Sequence, residues 1–171
     1  YEELEKQYGK AKYYSMDPFH EGGNTEGVDL AKAGTSIMGA MKKANPEAVW
    51  VMQAWQANPR EAMVNTLDSS DLLVLDLYSE KLPQWGDPES MWYREKGFGK
   101  HDWLYCMLLN FGGNVGLHGR MEQLVNGYYN ACAHVNGKTL RGVGATPEGI
   151  ENNPVMFELL YELPWREERF S

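Results

Sequence analysis

A chain of 171 residues, 43% of them hydrophobic, can build one packed core and is not a disordered segment. Its net charge of −8, with no basic run longer than Lys42-Lys43, excludes a phosphate-tracking nucleic-acid surface. No apolar run approaches the roughly 20 residues that span a bilayer, and Tyr1 opens a charged segment without an apolar signal core, as in a chain cut from something longer.

In chain order, Tyr13-Tyr14-Ser15-Met16 is predicted to be a strand that ends in Asp17-Pro18-Phe19-His20-Glu21-Gly22-Gly23. From Asp29 to Lys43 the residues Leu30, Ala33, Ile37, Met38 and Met41 share one helical face, and Asn45-Pro46 stops that helix. Val49–Trp55 reads as a buried strand, with Asn58-Pro59-Arg60-Glu61 opening a helix after it. Leu72–Leu77 is almost uniformly apolar, as strands covered on both faces are. Tyr78 to His101 is predicted to be mostly loop, and Trp103–Asn110 is a fourth strand that breaks at Phe111-Gly112-Gly113-Asn114. A polar, partly helical segment carries Met121, Leu124 and Val125. Arg141–Thr146 is a short fifth strand ending in Pro147-Glu148-Gly149-Ile150, and Asn153-Pro154 opens a last helix with Val155, Met156, Leu159, Leu160 and Leu163 inward.

Strands separated by helices or long loops, without hairpin signals, point to parallel βα units. An open doubly wound sheet is the competing arrangement, but no Gly-rich phosphate loop follows the first strand. The polar, Gly-rich motifs sit just after the strands, where barrel enzymes keep their chemistry. The expected fold is therefore α/β: residues 1–171 form a single partial domain, the C-terminal half of a (β/α)8 barrel, whose N-terminal half is absent. A complete barrel needs about 250 residues. The strand at Tyr13 is expected at one sheet edge and Gly142–Thr146 near the other. Open edges invite pairing with the remainder of the domain or with a second copy.

Acids follow three of the strands: Glu21 the first, Asp76 and Glu80 the third, Glu148 the fifth. Glu21 and Glu148 are each followed by Gly, which lets the chain turn sharply and a ligand approach the backbone. Two carboxylates on one barrel face suit glycosidic cleavage, which needs a proton donor and a second carboxylate at the anomeric carbon. The competing reading is an ordinary exposed acid, or one favoured by a helix dipole. Six Trp and ten Tyr suit stacking on flat ligands as well as core packing. Cys106 lies in an apolar run, and neither it nor Cys132 has zinc-ligand spacing to another Cys or a His, so no metal site is indicated.

The strings Tyr14–Glu21 (YSMDPFHE), Trp50–Trp55 (WVMQAW), Leu73–Leu77, Trp103–Gly113 (WLYCMLLNFGG) and Gly142–Asn152 (GVGATPEGIEN) resemble, in order, glycoside hydrolase family 89. The resemblance implies retaining hydrolysis of terminal alpha-linked N-acetylglucosamine without a cofactor. It implies Glu21 as acid/base and Glu148 as nucleophile, with the carboxyl groups about 5–5.5 Å apart rather than the 6.5–9.5 Å of inversion. It also implies substrate-binding positions at His20, Trp55, Asp76, Leu77 and Leu108. His20 stands where some members have Asn; it either donates a hydrogen bond to the sugar or packs. Trp55 either walls the sugar or fills core, and Asp76 either orients a hydroxyl or holds a loop. Asn110 and Asn114 are expected to shape the Gly112-Gly113 turn by backbone hydrogen bonding. His101, His118 and His134 are expected on the surface or in loops. The family implies a secreted, periplasmic or lysosomal setting.

Two other readings compete. A hexosaminidase using the substrate's acetamido group usually pairs closely spaced acids, whereas three residues separate Asp17 from Glu21. A carbohydrate-binding or interaction fragment without turnover is the third.

Overall fold

The computed structural model describes residues 2–113, 116–149 and 152–170. Asn114 and the Ile150-Glu151 pair of the last motif lie outside the described residues. The strands, β1 (Tyr13–Ser15), β2 (Val49–Ala54), β3 (Leu72–Asp76), β4 (Asp102–Leu109) and β5 (Leu140–Pro147), are ordered as in the chain, with β1 first and β5 last. The chain divides within β3 into two compact units, 1–74 and 75–171.

In the first unit β1 and β2 pair in parallel, Tyr14 opposite Trp50. Trp50, Met52 and Ala54 are fully buried. The connecting helix α2 (Leu30–Ala44) starts where Asp29 accepts the Lys32 N–H at 3.0 Å and ends at Asn45. It buries Gly34, Met38 and Met41. At Gly34 the backbone approaches so closely that a Cβ would stand 2.1 Å from the Met63 carbonyl oxygen, so a side chain there would displace the short helix α3 (Glu61–Val64). A helix unforeseen in the sequence, α1 (Glu2–Tyr8), precedes β1; it buries nothing, and only the Tyr14 hydroxyl donating to Glu5 Oε1 at 3.0 Å hints at why it forms there.

In the second unit β4 and β5 pair in parallel, with a register shift between Trp103 and Leu104. A Cβ at Gly144 would stand 2.8 Å from the Cys106 sulfur, so this position stays small for the strands to meet. Between them runs α4 (Met121–Ala133), which buries Leu124, Tyr128 and Ala131. After β5, Asn153 caps α5 (Pro154–Glu162) by accepting the Val155 N–H at 3.2 Å, with Pro154 in the first turn. Met156, Leu160 and Leu163 face inward; Val155, contrary to expectation, is exposed, since it lies off the helix face that carries Met156 and Leu160.

The 78–101 segment lacks helices and strands, as predicted, yet it sends Tyr78, Trp85, Phe98 and His101 into the core while much of the rest stays exposed. Trp85 packs on Trp103, Tyr105 and His134 at centroid distances of 5.5, 6.4 and 5.9 Å, and Phe98 packs on Trp103 at 5.5 Å. His101 lies in this loop, one of the two placements expected, and is buried there; His118 and His134 are half-buried. Cys106 is a buried free thiol and Cys132 an exposed one. Among the described residues no helix is long and apolar enough to cross a membrane.

Candidate active site

The chemistry-bearing residues stand just past the C-terminal ends of strands, and each unit carries its own set. In the first, the chain leaves β1 through Met16, whose carbonyl accepts the Trp50 indole N–H at 2.7 Å. Asp17 comes next. Its Oδ1 accepts the Gln53 N–H at 2.6 Å and Asn58 Nδ2 at 3.3 Å. Burial raises the Asp17 pKa, opposed by the Gln53 N–H, the His20 imidazole and Asn58. Beyond Pro18 the backbone reverses with positive φ at Phe19 (61°), Glu21 (41°) and Gly22 (72°). That reversal leaves Glu21 exposed and His20 half-buried, its Nε2 without a hydrogen-bond partner among the described residues. Trp55 is buried at the end of β2, where it bridges to Asn58.

In the second unit Asp76 ends β3 fully buried. The Ser79 hydroxyl lies 2.8 Å from both the carbonyl and Oδ2 of Asp76, and the Gln84 N–H points to Oδ2 at 3.5 Å. The carboxyl thereby holds the loop beyond the strand. Burial pushes its pKa up to about 7 against those donors. Glu80 is buried too, and both its oxygens accept the Leu108 N–H, at 3.3 and 3.4 Å. Burial is the main cause that lifts it to about 8; the Leu108 N–H and Arg120 oppose, and Asp76 adds to the rise. Both groups thus carry a proton over much of the range in which an exposed acid is ionised.

Glu148 sits one residue past β5, exposed, its N–H donating to the Leu109 carbonyl at 2.9 Å. Glu80 and Glu148 are therefore fastened to successive residues of β4. Tyr78 lies near both: burial raises its phenol, Arg120 opposes, and Glu80 and Glu148 reinforce the rise. Arg120 donates to the Tyr78 hydroxyl at 3.4 Å with its guanidinium 6.0 Å from the ring centroid. Leu77 and Leu108 are buried, each 5% exposed, and Asn110 is buried with a φ of 62° at the turn after β4. Glu80 also lines a cavity of about 380 Å³ with Trp85, Asn126 and Asn130. No cluster of three or more His, Cys, Asp or Glu that could hold a metal occurs among the described residues.

Sequence reasoning singled out Glu21, Glu148, His20, Trp55, Asp76, Leu77 and Leu108. The structure gathers Glu21, His20 and Trp55 in the first unit and the other four in the second. It adds Asp17, Asn58, Ser79, Tyr78 and Arg120, which sequence reasoning gave no role. Asp17 stood inside the motif before Glu21, so a signal existed; Arg120 lies in a polar helical approach that marks nothing.

Parallel βα units with acids just beyond their strand C-termini define a segment of a (β/α) barrel. Residues 1–167 match the alpha-N-acetylglucosaminidase tim-barrel domain, and the chain belongs to that family. It is 36% identical to human alpha-N-acetylglucosaminidase over 97% of this chain and 23% of that protein. It is also similar to solved structures of a family 89 glycoside hydrolase from Clostridium perfringens, at 33% identity over 99% of this chain and 18% of that one. One is a complex with 2-acetamido-1,2-dideoxynojirmycin, with a TM-score of 0.81. The other carries two Glu→Gln substitutions and holds its substrate GlcNAc-alpha-1,4-galactose, with a TM-score of 0.83. The chain thus spans about a quarter or less of the relatives it matches.

Proposed function

We propose that the protein is a retaining exo-glycosidase that releases terminal alpha-linked N-acetylglucosamine, with Glu21 as acid/base and Glu148 as nucleophile. The carrying observation is that both residues are exposed carboxylates on turns directly after strands of a family barrel domain. The substrate complex of the relative with two Glu→Gln substitutions supports a two-glutamate mechanism. Glu148 would attack the anomeric carbon while Glu21 protonates the leaving oxygen; Glu21 would then deprotonate the water that frees the sugar. Neither step calls on a cofactor. His20 and Trp55 are the proposed sugar contacts, with the His20 Nε2, unpartnered among the described residues, a candidate donor to a hydroxyl or acetamido group, and the buried Asp76, Leu77 and Leu108 are proposed as the floor beneath the sugar. Residues 1–171 are read as part of a longer protein's catalytic domain, and that protein as a secreted, periplasmic or lysosomal enzyme.

The test is the anomer formed with azide in the full-length protein. Azide replaces the missing base in Glu21→Ala and gives the retained alpha-azide, whereas in a Glu148→Gly variant it replaces the nucleophile and gives the inverted beta-azide. The opposite pattern exchanges the roles, and a carboxyl separation of 6.5–9.5 Å in an experimental structure would remove the retaining mechanism.

A further inference from the structure

We propose that Asp17 is a positioning residue for the acid turn: its carboxylate, held by the end of β2 and by the corner beyond, fixes the reversal that presents Glu21 and ties it to the corner carrying Trp55. The inference rests on the reading of Glu21 as the acid/base.

One oxygen joins three segments. Asp17 Oδ1 accepts from the Gln53 backbone at 2.6 Å and from the Asn58 side chain at 3.3 Å. The same Asn58 Nδ2 donates to the Gln53 carbonyl at 2.5 Å. Asn58 and Trp55 exchange both backbone bonds, at 3.1 and 2.9 Å. The residue before Asp17 is clamped as well, since Met16 donates to the Val51 carbonyl at 3.2 Å and accepts from the Trp50 indole.

The turn beyond Asp17 needs such an anchor. Phe19 and Glu21 are non-glycine residues at positive φ, a strained conformation that persists only where the surroundings dictate it. The reversal closes on itself so tightly that a Cβ on Gly23 would stand 2.4 Å from the Phe19 Cα. Pro18 has a fixed φ, so the direction set at Asp17 passes to Phe19 with little slack. A rigid turn on a fixed base places its carboxylate reproducibly; the same turn on a loose base moves as a body. Displacing a catalytic group by about 1 Å costs roughly 10²-fold. The role calls for an acceptor oxygen rather than a charge, in keeping with the partial burial that raises the Asp17 pKa.

The experiment uses the full-length protein and two alpha-N-acetylglucosaminides, one with a sugar leaving group that must be protonated and one with a dinitrophenyl group that departs unaided. The kcat/KM values report the first, bond-breaking step. Asp17→Ala should lower kcat/KM on the sugar substrate on the order of 10²-fold, and on the dinitrophenyl substrate less than about five-fold. Asp17→Asn keeps the acceptor and should restore the sugar substrate to within about three-fold of wild type. Asn58→Ala, which removes one of the two donors, should show the same split at smaller size, and it carries the test if Asp17→Ala does not accumulate as folded protein. Equal losses on both substrates, or failure of Asp17→Asn to restore, would overturn the positioning role. Glu21→Ala is the control: absence of the split in that variant sinks the acid/base assignment itself, a result distinct from absence of the split in the Asp17 variants alone.

Discussion

Glu80 offers a measurable consequence of burying a carboxyl. Its pKa stands at about 8 in the folded protein against an ordinary 4.5, so between those values the folded state keeps a proton that the unfolded state has lost. Stability must then fall as pH rises through that window, by about 1.4 kcal/mol per pH unit from this group, and level off above about 8. Across roughly three and a half units the loss is at most on the order of 5 kcal/mol. Glu80→Gln mimics the protonated acid, keeps an oxygen for the Leu108 N–H, and has no proton to lose. Subtracting the apparent stability of wild type from that of the variant at each pH cancels the groups that do not interact with Glu80, leaving Glu80 and its coupling to Asp76. The difference should be near zero at pH 4.5 and climb in the variant's favour up to about pH 8. Denaturant unfolding of full-length protein at five or six pH values measures it. A difference that stays flat over the whole range would mean that Glu80 is ionised throughout, and the account of a buried neutral carboxyl would be wrong.

Trp55→Ala should raise KM for the glycan substrate by more than it lowers the melting temperature, if the indole walls the sugar; a large drop in Tm at constant KM would assign the ring to the core, where only 8% of it is exposed. Gly34→Ala drives a methyl into the Met63 carbonyl and should destabilise by about 1–3 kcal/mol, read as a lower denaturation midpoint. Asn153→Ala removes the cap of α5 and the amide that reaches the Leu117 and His118 carbonyls at 3.2 and 3.4 Å, so it should cost about 1–2 kcal/mol in the same assay. If Glu148 is the nucleophile, Glu148→Gln in the full-length protein should abolish turnover with little change in Tm, because the side chain is exposed.

Much of the scaffold was legible because short apolar runs and helical periodicity report burial directly. β2 and β3 were found within a residue or two, and α2 is bracketed by the Asp29 cap and the Asn45-Pro46 stop that marked it. α1 was missed because it has no buried face to leave a periodic trace. The 78–101 loop was legible as irregular but not as a contributor to the core. Its burial comes from aromatic contacts that Trp85 and Phe98 make with β4, and no local pattern announces them. His101 was placed in a loop correctly, but its burial there was not legible for the same reason. At the site, the motif strings picked out the exposed glutamates. They could not show what holds them, since the donors to Asp17 and Glu80 lie 36 and 28 residues away in the chain.

Burial sorts the acids of this chain into two groups that the sequence writes with the same letters. Glu21 and Glu148 sit on exposed turns after their strands, where a carboxyl can meet a glycosidic oxygen or an anomeric carbon. Asp17 is partly buried and Asp76 and Glu80 are buried; Asp17 and Glu80 turn oxygens to donors from other segments, Asp76 to the Ser79 hydroxyl in the loop it opens. A buried carboxylate is costly to keep charged, and burial accordingly lifts the pKa of Asp76 to about 7 and that of Glu80 to about 8. A buried acid held toward its protonated form can thus serve as a hydrogen-bonding strut, leaving the exposed turns to the carboxyls proposed for the chemistry.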